Sequence, residues 1–329
     1  MRTTSRWGLF ISIMICCNSW GFLVHRTVHQ LAVYELPGSL QRFFYRHLEY
    51  GVRYSVRPDQ RRNRDSTEAT KHFIDFEAFG DSTAWKMPFS WQEAVATYTK
   101  DSLLKHGYVP YHIIMMKEKL TNAFRNGKAD SVLFYATDLA HYIGDANVPL
   151  HTTINYDGQL TGQKGLHALW ESVIPEILID RYNLRSGHKA KYLRSPKEAI
   201  WNAVRRAFTM VPEVLAKEKE VSKSFSDGTK YRVQIRNGRE YRNYTGEFAK
   251  AYGKALGTTI NDQLIRTADM IADFWYTAWV DAGKPDLDNW LRPAFTDENK
   301  KQLKKELKSF KKNQLVQDKL LISRQRRQN

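Results

Sequence analysis

Apolar residues recur at three- and four-residue steps through most of this chain, and strict alternation appears once. The first stripe starts at Trp20, takes in Leu23, Val24, Leu31, Ala32, Val33 and Leu36, and stops at Pro37-Gly38, the punctuation of a helix end. Similar spacing predicts helices over about 40–50, 91–104, 110–126, 129–147, 166–181, 195–221 and 245–281, with Pro175 and Pro212 as possible kinks. Phe274, Trp275, Tyr276 and Trp279 crowd the last of these, most simply as core. Residues 78–90 read as loop, and 152–165 as a Gly/Thr-rich loop. The alternating stretch runs from Tyr231 to Arg242 around Asn237-Gly238, the strongest short hairpin signal, and its exposed face is expected to be basic and aromatic. Neither an internal repeat nor a domain linker is visible. The expected fold is therefore all-α, one multi-helix domain with at most one small β-hairpin.

Composition changes this picture at the two ends. Arg2 and Arg6 precede an apolar run, Trp7–Cys17, that is shorter than the about 20 residues needed to cross a bilayer. Residues 1–19 thus read as a secretory signal with cleavage between Ser19 and Trp20, which predicts a secreted or periplasmic protein. A lipid-anchored form would use Cys16 or Cys17, but neither follows the small residue that such processing prefers. Both cysteines lie in this leader, so a metal in the mature chain must be held by His, Asp and Glu. No later segment is apolar and long enough to span a membrane. Residues 20–285 form the expected domain. Residues 286–329 read as a basic extension: a peripheral helix with apolar spots at Leu303, Leu307, Phe310 and Leu315, then a frayed end.

The chain has 329 residues, enough for a sizeable core at 42% apolar and 13% aromatic content. Its 51 Lys and Arg against 35 Asp and Glu give a formal charge of +16, or +14 without Arg2 and Arg6. Such a balance favours anionic partners: nucleic acid, phosphate esters or acidic lipid headgroups. Charge that serves only solubility would look the same.

Candidate chemistry is concentrated between Ala140 and Glu171. His141 and Asp145 are four apart on a predicted helix, so they share one face; His151 follows the Pro149 break; His167 and Glu171 repeat the four-residue spacing. A lone pair of this kind is more often a satisfied core histidine or an ion pair. Two pairs flanking a further histidine point to zinc, which takes three or four such ligands. Upstream stand His25 and His29, again four apart, then Asp59 in a turn entering a basic patch, and His72 thirteen residues later.

In order, these residues give Trp-x4-His, Asp-x12-His, His-x3-Asp-x5-His and His-x3-Glu. This pattern resembles the superfamily of zinc-dependent phospholipases C and S-one/P-one single-strand nucleases, over about residues 20–285. The resemblance implies an almost wholly helical fold with a trinuclear zinc cleft. It assigns Asp59, His72, His141 and Asp145 to a first zinc and His151, His167 and Glu171 to a second. A third would take the amine and carbonyl of Trp20, with His25 and a shared Asp145. His29 has no counterpart and reads as packing or second support. Catalytic roles fall on Asp59, orienting the attacking water, and on Arg62, contacting phosphate. Phe73 and Asp75, following His72, stand where the nucleases bind a base.

The implied function is a secreted zinc phosphodiesterase, a hydrolase of phosphodiester bonds. The Trp20-to-His25 spacing and the basic charge favour an endonuclease on single-stranded DNA or RNA. Glu171 as last ligand and the short gap from His151 to His167 favour a phospholipase C acting on phospholipid. Leu23 and Gln60 occupy the positions that would build a choline pocket, which argues against one. A non-catalytic zinc-binding protein is the remaining alternative, disfavoured because no ligand position is missing.

Overall fold

The computed structural model describes residues 21–236 and 239–325; the expected leader and Trp20 lie outside them. The chain is mostly helical with one two-stranded antiparallel sheet. The helices are α1 (Phe22–Glu35), α2 (Gly38–Arg46), α3 (Leu48–Tyr54), α4 (Arg57–Arg61), α5 (Thr83–Lys86), α6 (Trp91–Tyr98), α7 (Lys100–His106), α8 (Val109–Arg125), α9 (Ala129–Asp145), α10 (Leu166–Ala168), α11 (Ile174–Leu178), α12 (Pro196–Ser222) and α13 (Asp227–Lys230). After strands β1 (Tyr231–Arg236) and β2 (Arg239–Tyr244) come α14 (Gly246–Ala255), α15 (Thr259–Asp281) and α16 (Asp297–Lys311). Among the described residues, no helix is long and apolar enough to cross a membrane.

Two apolar clusters make the interior. The larger gathers α1, α2, α8, α9, α15 and the first half of α12, around buried Phe43, Phe124, Trp201, Phe274 and Trp275. The smaller joins Leu150, Leu166, Trp170 and Ile174 to Phe248, Tyr252 and the base of the hairpin at Tyr244. The segment 145–171 runs from the first cluster into the second, so polar groups placed along it face the seam between them.

Four predicted helices are broken. The 91–104 stretch divides at Thr99, whose φ of +64° lies outside the helical region, into α6 and α7. The 40–50 stretch divides at His47 into α2 and α3. The 245–281 stretch divides at Gly257, whose φ of +60° ends α14 in the left-handed region that glycine adopts without strain. The 166–181 stretch opens into a π-turn at Leu169–Val173 before α11. Pro175 explains this last break: it has no N–H for the carbonyl of Glu171, so the regular ladder cannot continue there. Pro212 is carried inside α12.

Residues 286–325 do not stand apart. Leu303 and Phe310 of α16, with Leu315 and Leu321, belong to the larger core cluster. Glu306 accepts hydrogen bonds from the hydroxyls of Tyr34 (2.8 Å) and Tyr45 (2.9 Å). Gln30 of α1 donates to the carbonyl of Leu320 and accepts from the N–H of Ile322. The expected frayed end is thus, up to Gln325, a clasp on α1; the Lys-rich positions face water while their apolar neighbours are buried.

Candidate metal centre

Eight of the nine residues assigned as metal ligands converge at the seam; the ninth, Trp20, lies outside the described residues. His25 comes from α1, Asp59 from α4, His72 from the turn after Ala69–Lys71, and His141 and Asp145 from the last turns of α9. His151 follows the Pro149 turn, His167 is in α10, and Glu171 sits on the π-turn. They form three groups able to hold a cation: His25 with His141 and Asp145, Asp59 with His72 and His141, and His151 with His167 and Glu171.

Asp145 is the hub. One carboxylate oxygen lies 2.9 Å from His72 Nδ1 and 3.3 Å from His141 Nε2, the other 3.5 Å from His25 Nε2. Asp59 approaches His141 and His72 at 3.7 and 3.8 Å. Glu171 reaches His167 at 2.7 Å, His151 at 3.6 Å and, with its second oxygen, His25 at 3.7 Å. Close backbone approach makes this possible. A Cβ on Gly144 would lie 2.8 Å from the His25 ring, and one on Gly21 2.5 Å from Glu171 Oε1.

The donor chemistry fits zinc. His141 Nδ1 donates to the carbonyl of Ser55, and His151 Nδ1 to that of His72, each at 2.8 Å. With those protons committed, each Nε2 turns a lone pair inward, the arrangement that orients metal-ligating histidines. His151 Nε2 and His167 Nε2 are only 2.8 Å apart, and His141 Nε2 and His72 Nδ1 3.2 Å. Two lone pairs cannot face each other at these separations, so each pair shares either a proton or a cation. Protons stand in where no metal is bound. Burial lowers the His151 pKa, but the charges of Asp145 and Glu171 outweigh it and push it up to about 9. Burial, then the charge of His25, brings His141 down to about 4. Burial raises the Asp145 and Glu171 carboxyls, and the surrounding imidazoles overcome it, holding both well below the usual range.

Behind the ligands lies support that sequence spacing did not flag. Glu68, 1% exposed, faces His72 Nε2 at 3.6 Å and accepts from Arg61, Lys71 and Tyr142. Burial raises its carboxyl, and His72 with these partners more than compensates, holding it far below the ordinary value. Asp138 binds Arg57 at 2.6 Å and Arg61 at 2.7 Å. The turn entering the basic patch is thus half internal: Arg57 and Arg61 brace α4 against α9. Glu68 stands four before His72, the reverse order of the ligand pairs, which was the available signal.

The assigned catalytic and substrate residues sit around this centre. Arg62 is exposed, its guanidinium 3.7 Å from Asp59. Phe73 is half-buried with its ring against the backbone of Gly107. Asp75 lies within electrostatic reach of His151; burial and the charge of Glu77 push its pKa up to about 6. His29 is buried edge-on against Trp275, a packing position.

No known family model matches the chain, and no curated protein matches it. Among solved structures, its fold is similar to that of Alpha Toxin from Clostridium absonum, with a TM-score of 0.47 and 14% sequence identity. The match covers 82% of this chain and 66% of that one.

Proposed function

We propose that the protein is a zinc-dependent phosphodiesterase, and that its substrate is a phospholipid headgroup diester, as in a phospholipase C. The observation that carries the first part is the hub: one buried carboxylate, Asp145, faces His25, His72 and His141 at once, so neighbouring cation sites share it. His25, Asp59, His72, His141 and Asp145 would hold two ions, and His151, His167 and Glu171 a further one. When bound, zinc supplies Lewis acidity that activates water near neutral pH and offsets charge growing on the phosphoryl oxygens. Asp59, more open than Asp145, accepts a hydrogen bond from the attacking water and aims it. Arg62 beside it offers its guanidinium to a phosphoryl oxygen. Asp75 is suited to a polar group of the substrate near His151.

For the substrate, the hairpin supports the phospholipid reading. Its exposed side chains are not only basic and aromatic: Val233 and Ile235 are exposed as well, which suits a lipid surface better than bases. A single-strand nuclease is the second reading, favoured by the +16 charge and by Asp75 close behind His72.

The test is one panel: turnover of phosphatidylcholine, phosphatidylglycerol, single-stranded DNA, RNA and bis-p-nitrophenyl phosphate, with and without chelator. Asp145→Asn should remove at least one tightly bound zinc and lower turnover by about a hundredfold or more. Chelator-insensitive activity, or full zinc content in Asp145→Asn, defeats the metal reading; turnover of single-stranded DNA but of no lipid transfers the proposal to the nuclease.

A further inference from the structure

Large apolar side chains left outside the fold are unevenly spread. Ten are exposed among the described residues, and six of them lie on only two segments. Ile154, Tyr156 and Leu160 belong to the loop between His151 and His167; Val233, Ile235 and Tyr241 belong to the hairpin. Scattered exposed apolar residues are ordinary, but clustering on neighbouring segments marks an interaction surface.

The two segments are neighbours. The Tyr244 hydroxyl donates to the carbonyl of Gln163, and Gly165 lies against the Tyr244 ring. Between them runs a groove of about 850 Å³, walled by Asp157 and Lys164 on one side and by Asp227, Lys230, Glu240 and Arg242 on the other, so its charges balance. Asp157 also accepts from the backbone N–H of His167, which ties the groove wall to a metal ligand. The surface therefore adjoins the centre.

Packing does not explain the hairpin's apolar residues. Its base is anchored: Tyr231 and Tyr244 meet, Tyr244 stacks on Phe248, and Lys230 lies over all three rings. Towards the turn Val233 is 51% exposed and Ile235 77%. An isolated two-stranded ribbon is marginal in water, and among the described residues nothing covers the aliphatic side chains at its far end. The strands carry Arg232, Arg236, Arg239 and Arg242 against one acid, Glu240. By register Arg242 and Glu240 stand opposite Val233 and Ile235 on one face of the ribbon, and Arg232 lies on the other. Exposed aliphatic residues on strands with a surplus of arginine match a bilayer interface, where apolar groups enter the acyl boundary and cations meet anionic headgroups. Nucleic acid could stack on Tyr156 and Tyr241, but that leaves Leu160, Val233 and Ile235, which cannot stack, without a partner.

We infer that the 152–165 loop and the β1–β2 hairpin form a docking surface that seats the metal centre on a bilayer bearing anionic phospholipid. Docking itself does not depend on the activity proposed above. Its consequence, faster turnover of diesters presented in a bilayer than of dissolved ones, rests on that reading.

The test uses the full zinc-loaded protein and vesicles of phosphatidylcholine with or without one-third phosphatidylglycerol. Wild type should float with the anionic vesicles, far less with the neutral ones, and release as salt rises. The double variant Val233→Asp/Ile235→Asp should bind anionic vesicles about tenfold or more weakly, while its turnover of bis-p-nitrophenyl phosphate stays within about twofold. Leu160→Ser is the milder companion on the loop, and should weaken binding without touching the hairpin. Wild type that ignores anionic vesicles, or a double variant that binds them normally, overturns the inference, as does single-stranded DNA displacing the protein from vesicles at equal phosphate. If wild type floats, the double variant does not, and neither hydrolyses any diester, docking stands and the phosphodiesterase reading falls.

Discussion

Replacing Gly144 by alanine should disable the centre without touching a ligand. Gly144 lies in α9, where alanine is intrinsically better by about 1 kcal/mol. Its new Cβ would sit 2.8 Å from both Cε1 and Nδ1 of His25. Comfortable carbon contacts begin at about 3.5 Å, so the ring must retreat by roughly 0.7 Å. It has nowhere to go: His25 is 3% exposed and stacks on His141 with ring centres 4.0 Å apart. Overpacking of this sort costs about 1–3 kcal/mol, which the helical gain partly offsets, so melting should change little. Metal binding is less forgiving, because ligand distances tolerate about 0.2 Å. The expected outcome is a tenfold to hundredfold loss of affinity at the site using His25, comparable with disrupting a ligand's support, and a matching loss of turnover. Zinc per chain after extensive dialysis, measured beside a thermal melt, separates the two effects. A variant that keeps wild-type zinc content and wild-type turnover refutes the reasoning.

Two further perturbations probe the support around the centre. Asp138→Ala leaves Arg57 and Arg61 facing each other without their shared carboxylate, and should cost about 3 kcal/mol, a fall of roughly 6 °C in Tm; an unchanged melt would mean that the brace is idle. Glu35 is buried with both oxygens lacking a hydrogen-bond partner, and burial, then the charge of Asp269, pushes its pKa from the ordinary 4.5 up to about 10. The folded state therefore keeps a proton that the unfolded state gives up. Stability from this group is intact below about 4.5 and declines as pH rises towards 10, by at most about 1.4 kcal/mol per unit. Glu35→Gln should flatten the fall in Tm between pH 6 and 9; parallel curves for the two proteins would rule Glu35 out as its source.

Legibility in the sequence followed distance along the chain. Helices α1, α8, α9 and α12 could be read because their apolar stripes are local and long. The break at Gly257 could not, since one glycine inside a helical pattern costs only about 1 kcal/mol and is often carried through. The residues that come together as candidate ligands could be picked out because His141–Asp145 and His167–Glu171 repeat one short spacing. Glu68 and Asp138 were not, because what makes them important is Arg61, and for Asp138 that partner is 77 residues away. The clasp was missed because lysines dominate residues 300–312, although Leu303, Leu307 and Phe310 already trace a helical stripe. Val233 and Ile235 were legible as strand residues, but alternation alone does not say which face of a lone hairpin lacks a neighbour.

The fastening of α1 by a distant segment also sets an order in which its contacts can form. Gln30 is held by Leu320 and Ile322, partners 290 and 292 positions further on. His25 lies on the same helix, about a turn and a half away. During synthesis Glu171, the last of the described ligands in sequence, emerges long before residue 320, yet the helix carrying His25 has no clasp until that residue follows. The clasp is therefore the last of the contacts on α1 to form, after the chain of α3, α9 and α15 has already been made. A protease cutting between α16 and Leu320 should loosen this side of α1 while leaving the eight described candidate ligands in the chain, and zinc per chain before and after the cut measures how far the His25 site depends on the clasp.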